Sequence, residues 1–281
     1  MTGRSNAMLC PNCRKLISAD EPRCPYCNTV RPGLWGATPL LQRFFGARMD
    51  LVPGIIGACV VLYAAGLLLD LRGALQSRGL LSLLSPSMVA LYKLGMTGGF
   101  ATGEGRWWTT LTAIYLHGGL LHIFFNMWWI HRLGAEAQEL FGRARFFILF
   151  TLTGAAGFVL SNAMGARPSI GASGAIFGLM GAMLAFTRRQ HASWSAIASG
   201  PLMQSIVIVL LFGLMTPGVN NLAHLGGIAS GFLIGQWLPA QHERREGRTT
   251  QLVAFALFAL TLAGFAFSLL RPLAVLARIE L

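Results

Sequence analysis

The chain has 281 residues, of which 54% are hydrophobic and only 11% are charged, and its formal net charge at pH 7 is +12. A soluble domain usually has about a quarter of its residues charged, and here no Asp or Glu occurs between Glu139 and Glu243, so the composition disfavours a soluble domain and indicates a membrane protein. The arginines stand in short clusters between apolar runs, as the positive-inside rule expects of loops, and we therefore expect the lipid bilayer rather than nucleic acid as a partner.

The N-terminal segment, residues 1–34, contains two C-x2-C knuckles separated by ten residues, namely Cys10 with Cys13 and Cys24 with Cys27. Four thiolates at this spacing can surround Zn²⁺ as a tetrahedron. So short a segment buries too little apolar surface to fold alone, and the metal would supply its folding free energy. Two disulfides or a redox-active C-x-x-C are the alternatives, disfavoured by a cytoplasmic location and by the pairing of the knuckles. We therefore predict a structural zinc ribbon.

A basic linker at 35–50 leads to a series of apolar segments long enough to cross about 30 Å of hydrocarbon, although the fifth of them is short. They predict an all-α polytopic membrane protein with a six-span core at 51–239 and an additional seventh helix at 250–271. Lys and Arg are concentrated in the N-terminal region and in the loops on its side, which places the N-terminus in the cytoplasm and the C-terminus outside. The seven candidate spans are 51–71, 109–130, 146–163, 171–187, 201–216, 222–238 and 251–270.

Polar side chains at membrane depth are costly and therefore informative. The second candidate span contains His117, His122 and Asn126. His122 and Asn126 are four residues apart and share one helix face. On a continuous helix, His117 would lie about 140° around the axis from His122, so we expect it to join this pair only with help from the loop. Hydrogen bonding between helices is the alternative role for these residues.

The fourth candidate span begins with a serine among glycines, Gly171-Ala172-Ser173-Gly174. Such a serine often serves only helix packing. At a helix N-terminus, however, the backbone N–H of Ser173 lacks an intrahelical acceptor and can bind an anion.

The sixth candidate span carries His224 at its outer end, followed by the stripe Gly227, Gly231 and Gly235. The stripe allows a close approach of another helix, and Gly174 with Gly178 offers a matching surface on the fourth span. Ser173 and His224 then lie at similar shallow depth, which predicts a nucleophile and its base in a cavity open to the outside.

The chemistry that these residues permit is acyl transfer. Neutral His224 would take the proton of Ser173 as the hydroxyl attacks a peptide carbonyl. The Ser173 backbone N–H, His122 and Asn126 would hold the oxyanion. No carboxylate lies near His224 in the sequence, so we predict a Ser–His dyad. The chain lacks both an H-E-x-x-H motif and a pair of membrane carboxylates, which disfavours zinc and aspartyl intramembrane proteases.

Together these motifs resemble the rhomboid family of intramembrane serine proteases over about residues 51–238. The resemblance implies a rhomboid-like six-helix core, here with one C-terminal transmembrane helix added and a zinc ribbon in front. It implies cleavage of transmembrane protein substrates near their outer ends, in a protein that we expect in a bacterial inner membrane. The motifs are His117-x4-His122-x3-Asn126, Gly171-x-Ser173-Gly174 and Ala223-His224-x-Gly226-Gly227.

By the same resemblance, Ser173 is the nucleophile, His224 is its base, and His122 and Asn126 line the oxyanion site. His117, Gly171 and Gly174 support them, and an aromatic residue four positions after the serine, here Phe177, packs on the histidine.

One motif departs from the family pattern, which has a Trp-Arg pair about nine residues before the first histidine. Here Arg106 precedes Trp107 and Trp108, and Thr109 follows them, so the anchoring of this loop stays open. The alternatives for the whole chain are a catalytically silent rhomboid-like protein that binds transmembrane clients, and a transporter or channel. We expect the zinc ribbon to contact a cytoplasmic partner.

Overall fold

The structure is a computed structural model in which nearly all regular structure is helical, apart from one two-stranded sheet near the N-terminus. It confirms the predicted all-α membrane fold with a small ribbon in front. The predicted linker at 35–50 lies outside the described residues, apart from Asp50. The described residues are 7–10, 12–30, 32, 50–75, 79, 82–165, 168–190 and 193–270.

In the part of the chain that the structure describes, twelve α-helices follow the ribbon, and a 3₁₀ turn at Ala113–Tyr115 follows the fifth of them. They are α1 (Leu51–Leu69), α2 (Leu71–Leu75), α3 (Met88–Leu94), α4 (Gly99–Gly103), α5 (Thr109–Thr112), α6 (Leu120–Phe141), α7 (Arg143–Ala163), α8 (Ser173–Arg189), α9 (Trp194–Ala198), α10 (Pro201–Met215), α11 (Asn221–Gly235) and α12 (Arg248–Leu270).

Three of the described helices, α1, α7 and α12, are long and apolar enough to cross a membrane, and α10 is a shorter apolar helix. The apolar segments predicted from the sequence are therefore helices of unequal length. Several side chains on α1, α10 and α12 are exposed although they are large and apolar, which is expected of surfaces that face lipid rather than water.

The predicted second span at 109–130 is wrong as a continuous helix, because the chain is not helical at Leu116–Gly119. Ser85 Oγ donates a hydrogen bond to the Gly118 carbonyl (2.5 Å), and Leu120 N donates to the Leu83 carbonyl (2.9 Å). These bonds to a distant segment replace helical ones, and Gly118-Gly119 is a weak helix former. Helix α6 therefore starts at Leu120 and extends to Phe141, through residues expected in a loop.

Helices α8 and α11 cross with their glycine faces in contact. A Cβ atom placed on Gly231 would overlap the Gly178 carbonyl, and one placed on Gly227 would overlap the Gly174 carbonyl. Backbones this close leave room only for glycine, as the stripe on the sixth span predicts. The contact brings the N-terminal ends of both helices to one level, and α7 packs against both of them.

The segment between α3 and α5 is fastened to the rest of the fold by polar side chains. Thr97 Oγ1 accepts hydrogen bonds from Asn162 Nδ2 (2.9 Å) and from the Thr109 hydroxyl (3.0 Å). The Arg106 guanidinium is buried over the Tyr92 ring at 4.0 Å and donates from Nη2 to the Tyr92 carbonyl (3.1 Å). The segment is therefore anchored by these contacts, although its sequence departs from the Trp-Arg pattern.

The ribbon consists of β1 (Ala7–Leu9) and β2 (Leu16–Ser18), paired antiparallel with Met8 opposite Ile17. These two side chains, Cys10 and Cys24 are the buried members of a small apolar cluster, and Cys13, Ala19 and Cys27 pack against it. A core of this size is too small to hold a fold by burial alone. The ribbon meets the helical part where Arg248 Nη1 donates to the Val30 carbonyl (3.1 Å).

Candidate active site

Ser173 and His224 lie at the converging ends of α8 and α11. Ser173 is the first residue of α8, and His224 stands in the first turn of α11. The Ser173 Oγ and His224 Nε2 atoms are 2.8 Å apart, while the imidazole is only 5% exposed. A hydroxyl and an imidazole nitrogen at hydrogen-bond distance are the geometry of an activated nucleophile and its base.

Asn221, one turn before His224, holds the other side of the imidazole. Its Oδ1 atom is 3.1 Å from His224 Nδ1. Because an amide oxygen only accepts hydrogen bonds, the hydrogen of neutral His224 lies on Nδ1 and the lone pair of Nε2 faces the Ser173 hydroxyl. Sequence reasoning missed Asn221, because a carboxylate was the group expected to orient the histidine. The signal was its i, i+3 spacing from His224, which places both side chains on one helix face.

Phe177 covers one face of the same imidazole. Its ring centroid is 4.5 Å from that of His224, with an interplanar angle of 30°. Phe177 is four residues after Ser173 on α8 and therefore points to the same side of the helix. The aromatic ring limits the rotation of the imidazole and keeps water from that face.

His122 approaches Ser173 from helix α6. The Gly118 backbone N–H donates to His122 Nδ1 (3.2 Å), so the hydrogen of the neutral ring lies on Nε2. That nitrogen points at Gly171, where an added Cβ atom would stand 2.7 Å from His122 Nε2 and 3.9 Å from Ser173 Oγ. With φ at +122°, Gly171 also has a backbone conformation that other residues rarely adopt. Its missing side chain leaves space between a donor and the candidate nucleophile.

Asn126 follows His122 by one helical turn and is buried. Its Nδ2 donates to the His122 carbonyl (2.8 Å), which uses one of the two amide hydrogens and leaves the second for another acceptor. His117 is fully buried and its ring centroid is 5.1 Å from that of His122. The non-helical residues Leu116–Gly119 bring His117 toward His122, which a continuous helix would not do.

Asn220 ties the start of α11 to two other parts of the chain. Its Oδ1 accepts from Ala223 N (3.1 Å) and so caps the helix. Its Nδ2 lies 2.6 Å from Ser161 Oγ on α7 and 2.7 Å from Ser169 Oγ, in the segment leading to Ser173. Sequence reasoning missed this residue too. Ser161 and Ser169 are 59 and 51 positions from Asn220 in the sequence, and only the fold brings them to it.

The four ribbon cysteines meet at one point in the structure, with all their Sγ atoms within 4.8 Å of one another. The Cys10–Cys27 and Cys13–Cys24 sulfur pairs are each 3.6 Å apart. A tetrahedral zinc site with bonds of about 2.3 Å has edges of about 3.8 Å, whereas a disulfide needs about 2.05 Å. The cluster therefore fits a tetrahedral metal site and not two disulfides.

The environment of Cys27 favours the thiolate form of its side chain. Hydrogen bonds from the side chain and the backbone of Thr29 lower the pKa of Cys27 to about 5. Thiolate is the form of cysteine that binds metals. The positions of the four sulfur atoms and the lowered pKa of Cys27 thus both support a metal-binding ribbon.

Comparison with known proteins identifies the helical part. Residues 104–241 match the family model described as the Rhomboid domain. The chain belongs to the rhomboid family. The match runs from the turn after α4 to just beyond α11, so it includes Ser173, His224 and His122 but neither the ribbon nor α12.

Rhomboid relatives occur in plants and in bacteria. RHOMBOID-like protein 5 of Arabidopsis thaliana is 35% identical over 175 residues, which are 60% of this chain and 57% of the relative. RHOMBOID-like protein 1 of the same plant is 34% identical over 206 residues, 66% of this chain and 52% of the relative. The Rhomboid protease GluP of Bacillus subtilis is 33% identical over 129 residues, 46% of this chain and 25% of the relative.

The chain thus spans about half the length of the two plant relatives and a quarter of GluP. The shared domain and the apolar helices make this chain an integral membrane protein of the rhomboid family. The recognition of the family from its motifs is confirmed.

Proposed function

We propose that the chain is an intramembrane serine endopeptidase that cleaves transmembrane protein substrates near the extracytoplasmic side of the membrane. The observation that carries this proposal is the 2.8 Å contact between Ser173 Oγ and His224 Nε2. Asn221 sets the ring so that the basic nitrogen faces the hydroxyl. A serine and a histidine arranged in this way serve acyl transfer better than helix packing.

In the proposed reaction, His224 Nε2 takes the hydroxyl proton while Ser173 Oγ attacks the carbonyl carbon of a substrate peptide bond. The resulting oxyanion receives hydrogen bonds from the Ser173 backbone N–H, His122 Nε2–H and the second amide hydrogen of Asn126. The imidazolium then gives its proton to the leaving amine as the C–N bond breaks. Water, deprotonated by the same nitrogen, releases the acyl group and restores Ser173.

The proposed membrane orientation places the N-terminus in the cytoplasm and the C-terminus outside, in a bacterial inner membrane. Arg188 and Arg189 end α8, on the side opposite to Ser173. Arg143 and Arg145 begin α7, and Arg248 begins α12. These cations support the orientation, because positive residues favour the cytoplasmic side.

In domain terms, we assign residues 1–34 to the ribbon, 35–50 to a linker, 51–239 to the protease core and 250–271 to the added helix. The sulfur positions support zinc as the structural metal of the ribbon. No cofactor is needed for the proposed reaction. The ribbon would then offer a folded surface to a cytoplasmic partner.

The test uses the chain purified in detergent with a single-span model substrate, beside Ser173→Ala and His224→Ala. The matched control is Ser205→Ala, whose hydroxyl donates to a carbonyl of its own helix, that of Pro201 (2.9 Å). We expect cleavage and fluorophosphonate labelling by the parent and the control, no cleavage by either active-site variant, and no labelling of Ser173→Ala. Equal cleavage in all four proteins would refute the dyad. A parent that neither cleaves nor labels would instead identify a catalytically silent protein that binds transmembrane clients.

A further inference from the structure

Helix α12 lies outside the part of the chain that matches the Rhomboid domain, yet it reaches the neighbourhood of the candidate site. Trp108 Nε1 donates a hydrogen bond to Ser268 Oγ (3.0 Å), which joins residues 160 positions apart. The Trp108 ring also packs against Phe267 with centroids 5.8 Å apart. Ser268 is buried, so its hydroxyl meets the indole away from water.

The contact continues one turn earlier in α12. Gly264 faces the segment after Trp108, since an added Cβ atom there would stand 3.1 Å from Thr112 Cγ2 and 3.4 Å from Trp108 Cβ. One residue on, Phe265 meets Tyr115 edge to face, with centroids 6.2 Å apart. Residues 264–268 of α12, little more than one turn, therefore contact the segment 108–115 at Trp108, Thr112 and Tyr115.

That segment leads directly into the candidate site. The Ala113 carbonyl accepts a hydrogen bond from Gly171 N (2.9 Å), and Gly171 is the residue that faces His122 Nε2. Ser173 follows two residues later. At the end of the same segment the chain passes into Leu116–Gly119, where Gly118 N–H sets the tautomer of His122. A displacement of the segment would therefore reach both the nucleophile and the oxyanion donor.

We propose that helix α12 positions the catalytic site through the Trp108–Ser268 hydrogen bond, which makes Ser268 and Trp108 positioning residues. The inference rests on the proposed peptidase function. Neither side chain touches the reacting atoms. Loss of either side chain is expected to lower kcat, because His122 and Ser173 would no longer be held in the correct relative position. Substrate binding along the rest of the core should be unchanged.

The experiment compares the parent chain with Ser268→Ala and Trp108→Phe, each of which removes one partner of the hydrogen bond. Ser268→Thr keeps the hydroxyl and is the conservative rescue. The matched control is Thr261→Val on the same helix, where the buried hydroxyl donates to the Leu257 carbonyl of its own helix (2.9 Å). The readouts are kcat, KM, the rate of fluorophosphonate labelling, and hydrogen exchange of residues 108–119.

For Ser268→Ala and for Trp108→Phe we expect kcat and the labelling rate to fall about threefold to tenfold, with KM changed by less than about twofold. The double variant should lose no more than either single one, since both remove the same interaction. Exchange in 108–119 should rise in both, and Thr261→Val and Ser268→Thr should behave as the parent does.

Several results would overturn the inference. They are parent-like kcat in both single variants, an equal loss in Thr261→Val, and losses that add in the double variant. A parent that neither cleaves nor labels would defeat the peptidase function instead. Hydrogen exchange would then decide the inference alone: faster exchange of 108–119 in Ser268→Ala but not in Thr261→Val supports the positioning contact, and equal exchange refutes it.

Discussion

Asn221 Oδ1 and His224 Nδ1 lie 3.1 Å apart across one turn of α11, on the side of the imidazole opposite to Ser173. An amide in this place sets the tautomer and the direction of the ring, as a carboxylate does in a catalytic triad. It brings no negative charge to stabilise the imidazolium. The proposed site therefore relies on orientation and on the oxyanion donors rather than on a buried ion pair.

Replacing Asn221 with alanine should lower kcat about tenfold, because the imidazole loses the acceptor that holds its Nδ1–H. Asn221→Asp keeps an acceptor oxygen at the same distance and should retain most of the activity. Steady-state cleavage of the single-span substrate measures both. Parent-like kcat in Asn221→Ala would show that Phe177 and the helix alone orient the ring.

Removing the side chain of His122 should lower kcat by about 10²–10³-fold, the usual effect of losing one oxyanion donor. Asn126→Ala should act in the same direction, while KM changes little in either variant. His131→Ala is the control, since this histidine is on the same helix and exposed. If His122→Ala cleaved as fast as the control, the oxyanion would have to be held elsewhere.

The crossing of α8 and α11 should not tolerate a methyl group at Gly231, because a Cβ atom there overlaps the Gly178 carbonyl. We expect Gly231→Ala to lower the free energy of unfolding by about 1–3 kcal/mol and to reduce activity as the helix ends move apart. Gly57→Ala is the control, a helical glycine with nothing within 4 Å of the added atom. Denaturant unfolding in detergent measures both. Equal stability of the two variants would contradict a close crossing.

The ribbon should bind about one zinc ion per chain through four thiolates. Cys24→Ser should lose the metal, whereas Cys59→Ser should keep it, because Cys59 lies buried in α1 away from the cluster. Metal analysis of the purified chain gives the stoichiometry, and the absorption of a cobalt-substituted sample reports thiolate coordination. Chelation should make residues 7–30 sensitive to proteolysis. Zinc retained in Cys24→Ser would place the metal elsewhere.

Glu246 should give the stability of the chain a defined dependence on pH. Its Oε1 accepts from Arg145 N (2.7 Å) at the start of α7, and burial raises its pKa above the usual 4.5. The folded state then binds this proton more tightly than the unfolded state does. The stabilising contribution is present below pH 4.5 and is lost as pH rises through the raised pKa.

Glu246→Gln removes this titration. The difference in unfolding free energy between the parent and Glu246→Gln should therefore shift against the parent as pH rises from about 4 to 7. Glu139→Gln, at an exposed carboxylate on α6, is the control for the loss of one negative charge. A constant difference between the parent and Glu246→Gln would mean that the folded and unfolded pKa values of Glu246 are the same.

The sequence by itself determined the membrane class, the rhomboid resemblance and the cysteine cluster. These conclusions rest on local patterns, each of which lies within a short stretch of the sequence. The patterns are the hydropathy, the glycine stripe on α11 and the spacing of Cys10, Cys13, Cys24 and Cys27. Ser173 and His224 could be proposed as a pair for the same reason, since each stands at the start of a recognisable apolar segment.

Only the tertiary structure decided the contacts that depend on distant partners. The helix of the predicted second span is interrupted at Leu116–Gly119, because Ser85 and Leu83 form hydrogen bonds with residues there. No periodicity in the sequence of that span reveals these bonds. The Trp108–Ser268 bond likewise joins residues 160 positions apart. A hydrogen bond requires two groups within about 3 Å, and the packing of whole helices, not the pattern along any one of them, brings such groups together.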